Sequence, residues 1–205
     1  MIHHQQNHRN HDNEPPISVD GTDVLNLLRS RRVTREFQPG PLDQADLWMI
    51  LEAGRWSTSA SNSRVHRLLV VQNHRRMRLL AAMSPGIYSM PGAMIVVCLD
   101  LSAADRAGFR TPHAHELFID AGTLMMNMMV EAHALGLGTC PVTSFSQAGV
   151  GVVLGLPAHA RADVIMLVGH TGPTRSGGAR PGRGRSRLLA DLVFWEEYGA
   201  GPPST

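Results

Sequence analysis

Three short apolar runs set what this chain can fold into. Leu68–Val71, Met94–Leu99 and Val164–Val168 are continuous stretches of apolar residues. They lack the apolar–polar alternation of a strand with one wet face, so they read as short strands buried on both sides. Between them lie segments of helical period. Asp20 is placed to cap a helix through Leu25, Leu27 and Leu28 to Arg31, and Asp43 one carrying Leu47, Ile50 and Leu51 that ends near Trp56. Residues 73–82 read as a helix with its arginines outward, and 146–154 as a short helix. His115 to Leu135 is a long helix with Leu117, Leu124, Met125, Met128 and Met129 at core spacing, ended by Gly136, Gly138 and Pro141. Ser84 to Pro91 is a turn region, and 102–113 a flexible loop or lid. Helices alternating with few buried strands predict an α+β fold, a sheet covered by helices on both faces.

The 205 residues suit one domain. It is expected over residues 19–199, after a disordered tail at 1–18 with His3, His4, His8 and His11, and before a short tail at 200–205. Residues 172–186 read as a polar surface loop, and Leu192, Val193, Phe194 and Trp195 as apolar anchors of the C-terminal segment. There are 19 arginines and no lysine, against 17 acidic residues. Without lysine there is no Schiff-base chemistry and no ordinary phosphate-binding P-loop. A net charge of +2 argues against a general nucleic-acid binder. Cys98 and Cys140 form neither a disulfide framework nor a zinc spacing. No apolar run reaches the roughly 20 residues that span a bilayer, and the N-terminus has no signal-peptide core, so a cytoplasmic protein is expected.

Four features could carry chemistry. Arg29, Arg31, Arg32 and Arg35 cluster early, and a guanidinium fork suits phosphate oxygens. Arg31 and Arg35 share a face if the helix continues; on spacing alone the cluster reads equally as a solvated basic helix end. Ser57 to Asn62 is a small polar loop able to contact a planar heterocycle, or simply a helix-to-strand connection. Gly136 to Val142 would let backbone approach a ligand, or is a helix cap followed by a strand. Arg185-Ser186-Arg187 could close on the same anion as Arg31 and Arg32, or is a basic loop. Cys140 has no histidine and acid arranged around it as a nucleophile would. His113 to Glu116 resembles a fragment of a metal site that nothing completes, so no metal is assigned. The methionines at 125–129 read as core or dimer packing.

Taken in order, these pieces resemble the nitroreductase superfamily of FMN-dependent flavoenzymes. Arg31-Arg32-Val33-Thr34-Arg35-Glu36-Phe37 is similar to its Arg-Arg-Ser-x-Arg-x-Phe opening, and Ser57 to Asn62 to its Ala-Pro-Ser-x-x-Asn loop. Leu135 to Pro141 is similar to its Gly-Leu-Gly segment, and Arg187 before an aromatic tail to its C-terminal phosphate contact. The resemblance implies a mixed sheet flanked by helices in an intertwined homodimer, with FMN at the subunit interface. Arg31, Arg32 and Arg35 would hold FMN, with Arg187 on the phosphate and Arg185 in reserve. Thr139, Cys140, Pro141 and Val142 would line the flavin, and Ser59 and Asn62 would come from the partner subunit. The chemistry would be borne by the flavin, with no catalytic side chain and NAD(P)H as a candidate donor for nitroaromatic or quinone reduction. Val33, Thr58 and Arg64-Val65-His66 depart from the family pattern at the usual serine, proline and Gln-Pro-Trp.

Ser84-Pro85-Gly86, Met90-Pro91, Val96 to Asp100 and Gly138 to Phe145 are also similar to cyclodipeptide oxidases. These dehydrogenate Cα–Cβ bonds of diketopiperazines and work with a small partner subunit. The departures at Thr58 and residues 64–66 keep open a non-catalytic FMN-binding protein. The arginines at 175–187 keep open a basic interaction module.

Overall fold

The three apolar runs are strands, and a fourth joins them. A computed structural model describes residues 19–110, 114–172 and 192–201. The sheet contains β1 (His66–Val71), β2 (Ala93–Asp100), β3 (Gly138–Val142) and β4 (Ala160–Gly169), in the order β1-β2-β4-β3. Each neighbouring pair is antiparallel. A parallel bridge from Val33 to Thr139 adds the segment after the first helix to the β3 edge, which lends the sheet its mixed character. β3 is a strand where the sequence pointed first to a helix end. Pro141 is tolerated in it because an edge strand can spare a ladder donor.

Six helices cover the sheet: α1 (Gly21–Ser30), α2 (Gln44–Arg55), α3 (His74–Ala82), α4 (Leu101–Arg106), α5 (His115–Ala134) and α6 (Gln147–Leu154). Asp20 accepts from the Thr22 N–H and Asp43 from Ala45, capping α1 and α2 as the sequence suggests, and Asn73 caps α3 by accepting from Arg76. α4 corrects the expected loop at 102–113. Asp100 ends β2, and its carboxylate accepts the Ala103 N–H at 2.9 Å, which turns the strand directly into a helix. Residues 111–113 lie outside the described residues, as do the N-terminal tail, 173–191 and the last four residues.

Ala93 to Leu99 are buried throughout, and strand alternation sends them to two cores. Ile95, Val97, Met166 and Val168 pack with Leu47 and Ile50 of α2 and Met128 and Ala132 of α5. Met94, Val96, Ile165 and Leu167 pack with Met77 and Leu80 of α3 and Val150 of α6. Two apolar surfaces stay open within a single chain, and the second corrects the expected C-terminal anchors. α1 buries none of its residues, leaving Val24, Leu25 and Leu28 exposed. Leu192, Val193, Phe194 and Trp195 are exposed rather than anchored.

A β-bulge redirects one strand. Val97 pairs with Val164, but Cys98 pairs with Ala162, so Asp163 has no partner residue. The bulge places Asp163 and Val164 on the same α5-facing side. Asp163 Oδ1 accepts from Arg161 Nε at 2.6 Å, and the Arg161 guanidinium lies over the Phe118 ring of α5. His66 sits opposite Leu99 on β1, its Nε2 4.0 Å from Asp163 Oδ2. Both side chains are about 95% buried (4% and 5% exposed), and neither facing atom has a hydrogen-bond partner. Burial holds the His66 imidazole below its ordinary 6.5, against the opposing pull of Asp163 and Asp120.

A close approach sets the other edge. A Cβ on Gly138 would lie 2.7 Å from Thr34 Cβ and 2.5 Å from its Oγ1. The Arg31–Phe37 segment therefore reaches β3 only because residue 138 has no side chain. Gly138→Ala is expected to destabilise the fold by about 1–3 kcal/mol, the usual cost of overpacking, measured by denaturant unfolding. His66 gives the second expectation. Above its ordinary value it is neutral in both folded and unfolded chains. As pH falls below that value the unfolded chain takes up the proton first, so stability declines. The unfolding free energy should drop more between about pH 7.5 and about pH 5.5 in the wild type than in His66→Gln.

Candidate functional site

α1 stops at Ser30, because Arg31 takes an extended conformation (φ −58°, ψ 131°). Arg31 and Arg35 are therefore not related by a continuing helix. That segment is stitched to its surroundings. Thr34 N–H donates to the Thr139 carbonyl at 2.8 Å, and Gln38 N–H to His170. The Ser89 hydroxyl accepts from Phe37 N–H and donates to the Arg35 carbonyl. Phe37 is buried in the α3–α6 core and anchors the segment.

This brings the segment that carries Arg31, Arg32 and Arg35 against β3 at Thr139. Arg31 is half-buried, and its Nε and Nη1 are buried without a hydrogen-bond partner. Arg32 is exposed and bonds only the backbone carbonyls of Arg29 and Arg31. Arg35 is exposed, and its charge acts on Cys140, pulling that thiol down against a stronger upward push from burial. Cys140 is thus a buried, protonated thiol, inert at neutral pH. Cys98 is pushed up to about 11, chiefly by burial. Among the described residues no carboxylate pairs with Arg31, Arg32 or Arg35. A half-buried guanidinium with orphaned donors is costly unless an anion meets it. The cluster therefore fits a phosphate or another anionic group. Thr139, Cys140 and Val142 are buried and Pro141 half-buried, so β3 offers backbone rather than side chains.

The loop at 57–64 stands elsewhere. Ala60 N–H donates to both carboxylate oxygens of Asp120, at 3.0 and 3.1 Å. The Thr123 hydroxyl reaches the Thr58 carbonyl. Ser59 Oγ accepts from Arg64 N–H, and Asn62 Oδ1 from Arg64 Nε. Ser61, Asn62 and Arg64 have φ of 51°, 51° and 47°. Such left-handed non-glycine residues cost on the order of 1–3 kcal/mol each. Beside the loop is a cavity of about 280 Å³ between α2, β1 and α5, lined by Ser57, Thr58, Ser59, His66, Asp120 and Leu124 among others.

α5 measures the separation. It binds the 57–64 loop through Asp120 and Thr123. At its other end His133 Nε2 meets Ser30 Oγ at 2.8 Å, next to Arg31. The thirteen residues from 120 to 133 span roughly 20 Å of helix. One chain therefore groups Arg31, Arg32, Arg35 and Thr139–Val142 and leaves Ser59 and Asn62 apart. Arg185 and Arg187 lie outside the described residues. So does His113, and among the described residues no three His, Cys, Asp or Glu side chains are placed to hold a metal ion. Sequence reasoning missed Asp120, His66 and Asp163. The one available signal was Asp120, a lone carboxylate in the stretch from Leu117 to Leu124, where Thr123 is the one other polar side chain.

The fold is shared with known proteins. The Nitroreductase family profile matches residues 28–89 and 84–170. A candidate NADH dehydrogenase/NAD(P)H nitroreductase of Methanothermobacter thermautotrophicus is 27% identical over 128 residues, 60% of this chain. The match spans 63% of that relative's length. A crystal structure of a nitroreductase family protein from Clostridium difficile superposes with a TM-score of 0.71 at 23% identity, covering 84% of this chain and 98% of that one. The NADPH:FMN oxidoreductase of Vibrio harveyi, solved with NAD+, gives 0.71 at 19% identity, over 88% of this chain and 80% of its own. Extended arginine segment, glycine-gated edge strand and family match together lead to one conclusion: the chain belongs to the nitroreductase family.

Proposed function

We propose that the chain is an FMN-dependent oxidoreductase acting as a homodimer, with a flavin site at each subunit interface. The observation that carries this is the half-buried Arg31 guanidinium with orphaned donors, beside a strand edge that presents backbone. Arg31, Arg32 and Arg35 would hold the phosphate, ribityl chain and pyrimidine edge, with Thr139 to Val142 along the ring. Arg187, with Arg185 in reserve, is assigned to the phosphate. Ser59 and Asn62 of the partner subunit would complete the site, since about 20 Å of helix keeps this chain's own copies away from its arginines. The exposed Val24, Leu25, Leu28 and C-terminal apolar residues supply surface for a second copy to cover.

Bound FMN would carry hydride through its N5 position. The chain's part is to bind, orient and exclude water. Arg35 places a permanent positive charge at the strand edge, favouring electron-rich states of whatever lies there. NAD(P)H fits as donor, with nitroaromatic or quinone-type acceptors. No described helix is long and apolar enough to cross a membrane.

A second reading is oxidation of a cyclic dipeptide, with a small partner subunit and oxygen as acceptor. It is favoured by the contact between two of the stretches that suggested it. Ser84 Oγ donates to the Ser144 carbonyl at 2.6 Å, and a Cβ on Gly86 would press on Ser144 and Val142. NAD(P)H consumption with a nitroaromatic, run beside oxygen uptake with cyclic dipeptides, separates the two. Bound flavin inert in both assays would leave a non-catalytic FMN carrier. A colourless protein that takes up no FMN would overturn the flavin reading in favour of a basic interaction module. Arg31→Ala is expected to weaken FMN binding by about 1.5–3 kcal/mol, the loss of charge-assisted hydrogen bonds. Flavin fluorescence titration of the apoprotein measures it, and unchanged affinity would remove Arg31 from the site.

A further inference from the structure

The 57–64 loop is strained, and its tie to the rest of the molecule is unusual. Three of the four residues from Ser61 to Arg64 are non-glycine residues in the left-handed region. Asparagine tolerates that region better than serine or arginine, so this conformation is imposed rather than chosen locally. The C-terminal side is held by Arg67, whose Nη1 donates to the Arg64 carbonyl while its Nη2 pairs with Asp100. The N-terminal side is held by Asp120. That carboxylate is 6% exposed, and its side chain accepts one backbone N–H, from Ala60, shared between its two oxygens. Among the described residues no arginine or histidine makes an ion pair with it. Burying a carboxylate for a single N–H is a poor route to stability, since an apolar residue in its place would avoid the desolvation cost.

We propose that Asp120 is a positioning residue: it holds the strained loop in the one conformation that presents Ser59 and Asn62 to the flavin of the partner subunit. This rests on the flavin reading above. Asp120 touches no flavin in this scheme; it acts through Ala60. Thr123 supports it from one helical turn further on, donating to the Asp120 carbonyl and reaching the Thr58 carbonyl. Once the carboxylate is removed, the left-handed residues relax toward ordinary backbone conformations and the loop side chains scatter.

The test uses the full-length protein and four variants. Asp120→Ala should weaken FMN binding at least tenfold and speed amide hydrogen exchange at residues 60–64. Asp120→Asn keeps an oxygen able to accept the Ala60 N–H, so it should restore most of the affinity. Adding Ser61→Gly to Asp120→Ala should recover part of the loss, because glycine adopts this φ without strain. Ser61→Gly alone should bind FMN as the wild type does. A merely structural carboxylate predicts a lower unfolding midpoint without this pattern of rescue. FMN affinity and loop exchange in Asp120→Ala equal to wild type would overturn the proposal. Wild-type protein that binds no FMN would overturn the flavin reading instead, and loop exchange in Asp120→Ala would still decide whether the carboxylate holds the loop.

Discussion

The buried ladder between β2 and β4 is the interaction on which everything else rests. Both strands are interior, so their backbone groups pair with neighbours on either side, and their side chains feed two separate cores. One core takes α2 and α5, the other α3 and α6. Because α5 lies across one face as a 20-residue helix, it keeps the arginine segment and the polar loop at opposite ends of one subunit. The ladder also carries the bulge at Asp163. Without it, and with Val164 kept on its face, Asp163 and the residues before it would turn to the opposite face.

The edge of the same sheet is where the proposed flavin site lies. β3 is paired on one side by β4 and met on the other only by a short bridged segment. An edge strand leaves backbone groups open, and a glycine at 138 lets Thr34 come close enough to aim the arginines there. Arginine matters at this position for a physical reason. A guanidinium holds its charge more firmly than an ammonium as it loses water, and its planar fork offers two donors at once to an anion.

Much of this was legible beforehand, and the reasons differ by element. Asp20 and Asp43 announce helices because a cap is a local bond, complete within three residues. The apolar runs of β2 and β4 announce buried strands because no wet face interrupts them; the run expected to be buried at Leu68–Val71 lies instead in an edge strand, with Leu68 and Leu69 half-buried and Val70 exposed. The segment at 102–113 was less legible: α4 is a short helix whose start depends on Asp100, a residue that also ends a strand. β3 was obscured by its glycines and proline, which mark a break in most settings and are tolerated here only by the edge position. α1 and the C-terminal residues carry apolar faces that nothing in one chain buries, so their pattern describes a surface rather than a core. Within the candidate site, Arg31 to Arg35 and Gly138 to Val142 were legible as separate motifs, and the fold joins the two segments through the Val33–Thr139 bridge. Asp120, His66 and Asp163 were not found, because a single acidic or imidazole group carries no period and no motif.

By itself the sequence determined the inventory: which segments pair, which cap, and that every fixed positive charge must be an arginine. These are properties of residue type and short spacing, and they survive without coordinates. Only the tertiary structure decided which inventory items meet. It set Thr34 against Gly138, put Asp163 beside His66 through a one-residue bulge, and placed Asp120 under a strained loop. Each of these pairings joins residues far apart in the chain, or depends on a shift of one position in strand register. Local sequence has no energy term for either; the packing of the whole sheet supplies it.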